Sequence, residues 1–399
     1  MIKIQVGDII IGDEERQIIN DIMDSHRLSE GPVTREFERL WANFIGTRFC
    51  VAVNSGTSAL IAGIFALIYD NRFPKVRKGK KVITSPVTYI ATSSAIALAG
   101  LEPVFVDIDP QTFTLNTSQI EQLLKDGNSD DYCMILPVHL MGYVNDMDEI
   151  NRIASEHDLV VFEDAAQAHG SIYKGKKAGT MSLLADYSFY IAHNVQVGEM
   201  GAVVTSDKDL LKILKKVKAN GRYCACAVCT RAKGICPFSD EDFDPRFTHE
   251  FIGFNFKINE FQAAIGIPQV KRIDDIISSR QKNVKYLNDK LAGLSSKLSL
   301  PEYSTDISYL AYPMIIKDKS IDRQKLMRDL ESAGIETRPL FGCIPNQQPA
   351  FSYLKEQYSG KLPNADYVGL HAFYIGCHQY LSESDLDFIV KTLVEIVNA

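Results

Sequence analysis

Short apolar segments recur along the first half of this chain with helical patterns between them, and that alternation limits the folds open to it. Val51-Ala52-Val53 runs into a turn, and residues 81–84, 103–107, 132–138, 159–162 and 201–205 repeat the pattern. Helical periodicity covers residues 59–67, 88–99 and 146–157. Apolar strands that alternate with helices predict a mostly parallel sheet covered on both faces. Upstream, residues 17–45 read as helix interrupted by Ser29-Glu30-Gly31-Pro32. Downstream, residues 259–294 read as one long helix, followed by a strand at 309–316 and helices at 321–332 and 383–397. We expect a large unit over residues 1–265, carrying a cysteine loop at 224–236, and a smaller C-terminal α/β unit over 266–399. A chain of 399 residues is long enough for both.

A net charge of −7 gives no electrostatic footprint for nucleic acid or an anionic membrane. The apolar run 59–69 is too short to span a bilayer, and Met1–Asp8 lacks the apolar core of an export signal. We therefore expect a cytoplasmic protein, in which clustered cysteines suggest metal binding before disulfides.

Several short motifs carry chemistry. In Ser55-Gly56-Thr57-Ser58, small residues open a helix, where backbone N–H groups and a hydroxyl can approach a phosphate. Such a turn alone is more often a plain helix cap. Asp164 ends the apolar run Leu159-Val160-Val161-Phe162 and so falls at the ligand-facing end of a parallel strand. Gln167 follows it. Tyr89 lies in Ser85-Pro86-Val87-Thr88-Tyr89, and His193 in Ser188-Phe189-Tyr190-Ile191-Ala192-His193-Asn194. Asn255 belongs to Gly253-Phe254-Asn255-Phe256-Lys257, ahead of the long helical stretch. Each has an ordinary structural explanation on its own; their order and spacing make the set specific.

Taken together these motifs resemble the nucleotide-sugar aminotransferase and dehydrase family, pyridoxal-phosphate (PLP) enzymes of fold type I, and the resemblance covers nearly the whole chain. It implies that Gly56, Thr57 and Ser188 hold the cofactor phosphate, Asp164 pairs with the pyridine nitrogen, Gln167 lies near the ring and Tyr89 stacks on it. Asn255 would reach the phosphate of a neighbouring subunit, which implies a homodimer with shared sites. Most members carry Lys where this chain has His193, and hold the cofactor as a Schiff base. Histidine forms no such bond but moves protons near neutral pH. The resemblance therefore implies a non-covalently held cofactor, as pyridoxamine 5′-phosphate (PMP). Two dehydrase groups share this replacement, the GDP-4-keto-6-deoxymannose 3-dehydratases and the CDP-4-keto-6-deoxyglucose 3-dehydrases. The second group carries an iron–sulfur cluster.

Four of the eight cysteines, Cys224, Cys226, Cys229 and Cys236, are spaced C-x-C-x2-C-x6-C. By spacing, zinc and an iron–sulfur cluster are equally served. Their position after Asn220-Gly221-Arg222 resembles the CDP-sugar dehydrases. Those enzymes take one ligand from a cysteine where this chain has Ala166, which makes Cys229 the candidate replacement and leaves 2Fe–2S and 4Fe–4S open.

The expectation is thus a PMP- and iron–sulfur-dependent 3-dehydrase of a nucleotide-linked 4-keto-6-deoxyhexose, fed electrons by a separate reductase. His193 would move the proton and Asp164 would hold the pyridinium. Two alternatives stand beside it. One is a cluster-free dehydratase whose PMP is restored by an amino acid, with zinc bracing the cysteine loop. The other is a PLP-fold binding protein that has lost its lysine.

Overall fold

The computed structural model describes residues 2–226 and 229–398. Its centre is a seven-stranded sheet made of β1 (Phe49–Val53), β2 (Lys81–Thr84), β3 (Glu102–Phe105), β4 (Tyr132–Leu136), β5 (Val160–Asp164), β6 (Leu184–Ser188) and β7 (Gly201–Thr205). Their spatial order is β1-β7-β6-β5-β4-β2-β3. β7 is antiparallel to both neighbours, while β2, β3, β4, β5 and β6 pair in parallel. The mostly parallel sheet expected from the sequence is therefore present. Helices cover both faces, so these strands carry apolar residues almost without alternation.

β6 is the strand the sequence concealed. Leu184-Ala185-Asp186-Tyr187-Ser188 carries an acid at its midpoint and is not among the strands expected from the sequence, yet its first four residues are buried. It pairs in register with β5: Phe162 with Leu184, Glu163 with Ala185, Asp164 with Asp186. Side chains alternate along a strand and in-register partners share a face. Asp164, Asp186 and Ser188 consequently share one face with Phe162 and Leu184. That face meets the Gly56–Tyr69 helix, since a Cβ on Gly63 would lie 2.4 Å from Phe162 and 3.2 Å from Leu184. This helix is buried along most of its length and places its N-terminus beside the ends of β5 and β6.

The stretch 259–294 is two helices, Glu260–Lys271 and Ile273–Leu291, rather than one. Asn259 caps the first through a reciprocal bond with Gln262, and Asp274 and Asp275 favour the start of the second. The chain turns at Arg272, whose guanidinium meets the buried Glu15 carboxylate at 2.6 Å. Arg280, fully buried, projects from the second helix and donates to the carbonyls of Leu310 (2.7 Å) and His193 (3.2 Å). Leu298–Ser299, Tyr312–Ile316, Ala372–Ile375 and Thr337–Pro339 form a separate four-stranded antiparallel sheet. Ile4 bridges to Ile335 beside it. Among the described residues no helix is long and apolar enough to cross a membrane.

Candidate active site

A cavity of about 600 Å³ opens where β5 and β6 end and the Gly56–Tyr69 helix begins. Open α/β sheets place ligand crevices at this edge. Ser55 caps the helix, its hydroxyl oxygen accepting from the Ser58 N–H at 3.1 Å. The N–H groups of Gly56 and Thr57 lie in the first turn, where no intrahelical acceptor exists. Gly56 packs so closely on β6 that a Cβ there would sit 2.6 Å from the Ser188 Cβ. Exposed N–H groups, two hydroxyls and a helix N-terminus make an anion cradle.

Asp164 forms the deep wall. Its Oδ2 accepts from the Thr92 hydroxyl at 2.8 Å and its Oδ1 from the Ala166 N–H at 3.2 Å. Burial raises its pKa, and the Thr92 bond opposes that shift. Beside it Asp186 is fully buried, and among the described residues neither carboxyl oxygen has a hydrogen-bond partner. Burial, reinforced by the Asp164 charge, pushes the Asp186 pKa well above the usual carboxylate range.

His193 lines the same cavity, 8% exposed. Its Nδ1 accepts from the Tyr190 N–H at 3.1 Å, so the neutral ring carries its proton on Nε2. Burial, with the positive charges of Arg280 and Arg338, lowers its pKa to about 3. The imidazole is therefore neutral at physiological pH.

Gly56, Thr57, Tyr89, Asp164, Gln167, Ser188 and His193 all line this one cavity. Gln167 is fixed by accepting the Met141 N–H at 3.0 Å, whereas Tyr89 is 60% exposed at the mouth. Asn255 does not line it: the residue is exposed and bridges to Ala219. The cavity also takes Asp186, Tyr190 and Arg338, which sequence reasoning missed. Asp186 and Tyr190 sit at alternate positions with Ser188, a period-two signal that would have found them once β6 was recognised.

The four loop cysteines line a second cavity of about 500 Å³ together with Arg222, Arg231 and Arg246. Burial, and after it the charges of Cys224, Cys236 and Cys229, raise the Cys226 thiol pKa, so the four sulfurs lie near one another. Cys224 is buried, Cys226 and Cys236 are half-buried, and Cys229 is exposed. Among the described residues no three His, Cys, Asp or Glu side chains are arranged to hold a metal ion.

An anion cradle and a buried acid in one cavity fit a phosphorylated pyridine, and the unpartnered Asp186 oxygens leave polar capacity beside that acid. The architecture is that of the PLP-dependent fold type I enzymes. The chain belongs to the DegT/DnrJ/EryC1/StrS aminotransferase family, whose model matches residues 9–394. It is 31% identical to the lipopolysaccharide biosynthesis protein RfbH of Salmonella typhimurium, over 97% of this chain and 90% of that one. A solved structure of Escherichia coli GDP-4-keto-6-deoxy-D-mannose-3-dehydratase with bound hydrated PLP superposes with a TM-score of 0.87 at 29% identity, covering 98% of this chain and 100% of that one. A structure of GDP-4-keto-6-deoxymannose-3-dehydratase with a trapped PLP-glutamate geminal diamine gives 0.86 at 28% identity, covering 98% and 100%.

Proposed function

We propose that this protein is a PMP-dependent 3-dehydratase of a nucleotide-linked 4-keto-6-deoxyhexose, working without a cluster and recharged by an amino acid. The observation that carries this reading is His193: it stands in the cavity with Asp164 and the phosphate cradle, and no lysine is among the lining residues described. The similar dehydratase structures, one with PLP and one with a PLP-glutamate adduct, support the cofactor and the amino-acid donor.

PMP, when bound, would supply an amine and an electron-withdrawing ring. The residues divide the remaining work. The Gly56 and Thr57 N–H groups and the Ser188 hydroxyl would hold the phosphate, and Asp164 would hold the ring nitrogen protonated. Tyr89 would cover the ring face. His193, neutral and largely shielded from water, would exchange protons with the substrate. The ring acts first as a base, and the imidazolium this makes is the acid that returns the proton to the leaving 3-hydroxyl. To serve as a base it must move its Nε2 proton to Nδ1 and give up the Tyr190 bond, at a cost of about 1 kcal/mol. Taking a proton at one step and returning it at the next leaves no net proton change on the ring.

Asn255 would serve the phosphate of a second copy, making the enzyme a homodimer with composite sites. His193→Asn and Asn255→Ala subunits, each inactive alone, should regain activity when mixed. His193→Asn should retain PMP and lose roughly 10²–10⁴-fold in turnover; near-wild-type turnover would overturn the role given to His193.

A second reading keeps the iron–sulfur cluster and its reductase, favoured by the gathering of four thiols beside three arginines around one cavity. It requires iron and acid-labile sulfide in anaerobically purified protein and their loss in Cys229→Ser.

A further inference from the structure

Asp186 is a fully buried carboxyl in the cavity wall that the proposed mechanism leaves without work. Resting on the cofactor reading above, we propose that Asp186 and Asp164 form a carboxyl pair holding a single proton, with Asp186 a positioning residue that sets the charge Asp164 presents to the ring nitrogen.

The geometry carries this. The two residues are register partners on adjacent parallel strands, so their side chains leave the same face of the sheet with backbones about 4.8 Å apart. Both line the same cavity. They are not equivalent, however. Asp164 receives two hydrogen bonds, from Thr92 and Ala166, which stabilise an anion. Neither oxygen of Asp186 receives any.

Nor, among the described residues, does a cation compensate Asp186. Its partner on β7 is Val203, and the buried Leu60 of the Gly56–Tyr69 helix lines the same cavity. Glu163 points to the opposite face of β5, where it takes up His139 at 2.9 Å. His139 acts on Asp164 through its charge, and His193, Glu199 and Arg338 line the same cavity. Two buried carboxylates this close cannot both ionise at little cost, so one keeps a proton. Asp186, lacking donors, keeps it, and Asp164 carries the charge. The shift of both acids toward the protonated form accords with this. The wall then has one negative charge with a second proton site beside it. That second site holds the ring nitrogen protonated to higher pH than Asp164 could alone.

Infrared spectroscopy of the cofactor-free protein, with aspartate carrying ¹³C in its side-chain carboxyl, tests the pair directly. The expected result is a protonated-carboxyl band at pH 7 that is absent in Asp186→Asn and titrates at lower pH in Asp164→Asn. Absence of the band in wild type, or an unchanged titration in Asp164→Asn, overturns the pair. If Asp186→Asn fails to fold, Asp186→Thr replaces it. In PMP-loaded protein, the ring absorbance should titrate at least one pH unit lower in Asp186→Asn than in wild type, a tenfold change in proton affinity; coincident titrations would refute the positioning role. Protein that shows the band but binds no PMP would instead refute the cofactor reading and leave the pair standing.

Discussion

Replacing Gly56 by alanine probes the phosphate cradle without removing any polar group. The added Cβ would lie 2.6 Å from the Ser188 Cβ, 2.9 Å from its Oγ and 3.4 Å from its Cα. Carbon atoms normally meet at about 3.5–4.0 Å, so roughly 1 Å of separation must be found. Rotating the Ser188 hydroxyl away does not provide it, because the Cβ and Cα of Ser188 stay in place. The first turn of the helix must lift off β6 instead. Alanine's helix preference returns at most about 1 kcal/mol, while overpacking of this kind costs about 1–3 kcal/mol. The net loss of stability is therefore small, about 0–2 kcal/mol. Cofactor affinity should suffer more. A 1 Å displacement spoils at least one hydrogen bond from the cradle to a charged phosphate, worth about 1.5–3 kcal/mol, which corresponds to roughly 10- to 150-fold in Kd. Fluorescence titration of Gly56→Ala with PMP, alongside a thermal melt, reads both quantities. Affinity within threefold of wild type in a folded variant would refute the phosphate cradle at this helix.

Other perturbations have equally definite signs. Asp186 has a raised pKa in the folded protein, so the stability it allows is full at pH values below its unfolded pKa and is lost as pH rises toward its folded pKa. Cofactor-free Asp186→Asn should accordingly melt higher than wild type at pH 8, with the gain vanishing near pH 4; equal melting at both pH values would contradict a buried, unpartnered acid. His193 shifts the other way: with its pKa lowered from 6.5 to about 3, it costs nothing above 6.5 and destabilises the fold as pH falls from 6.5 toward 3. His193→Asn should flatten that part of the pH–stability curve, and an unchanged slope would show the ring to be hydrated. Thr92→Val removes the 2.8 Å bond to the Asp164 carboxylate. It should destabilise the protein by about 1–3 kcal/mol and raise the Asp164 pKa, observable as a shift in the infrared titration.

The large sheet was legible because strands buried on both faces must be apolar throughout, as Tyr132–Leu136 and Gly201–Thr205 are. Leu184–Ser188 escaped notice for the opposite reason. Its Asp186 is polar because it faces a cavity, and a functional acid in mid-strand erases the pattern that identifies the strand. The break at Arg272 was hidden because periodicity carries across a turn that depends on a distant partner, Glu15. Within the site, the residues around Asp164 and His193 could be gathered from their order along the chain. Arg338 could not, because it arrives from a strand of the other sheet and no local signal links it to β5. The cysteine spacing suits more than one ligand arrangement, and only the folded loop could give the burial of each thiol.

Whether His193 serves a cofactor-dependent 3-dehydration that needs no cluster is decided by product analysis. Purified, iron-depleted protein is incubated with PLP, glutamate and GDP-4-keto-6-deoxymannose, and the sugar product is identified by mass spectrometry and NMR. The expected product is a 3-deoxy sugar, formed at the same rate with or without iron, and none from His193→Asn. Product that appears only after iron, sulfide and a reductant are restored, or a 4-amino sugar in place of the 3-deoxy sugar, would overturn the assignment.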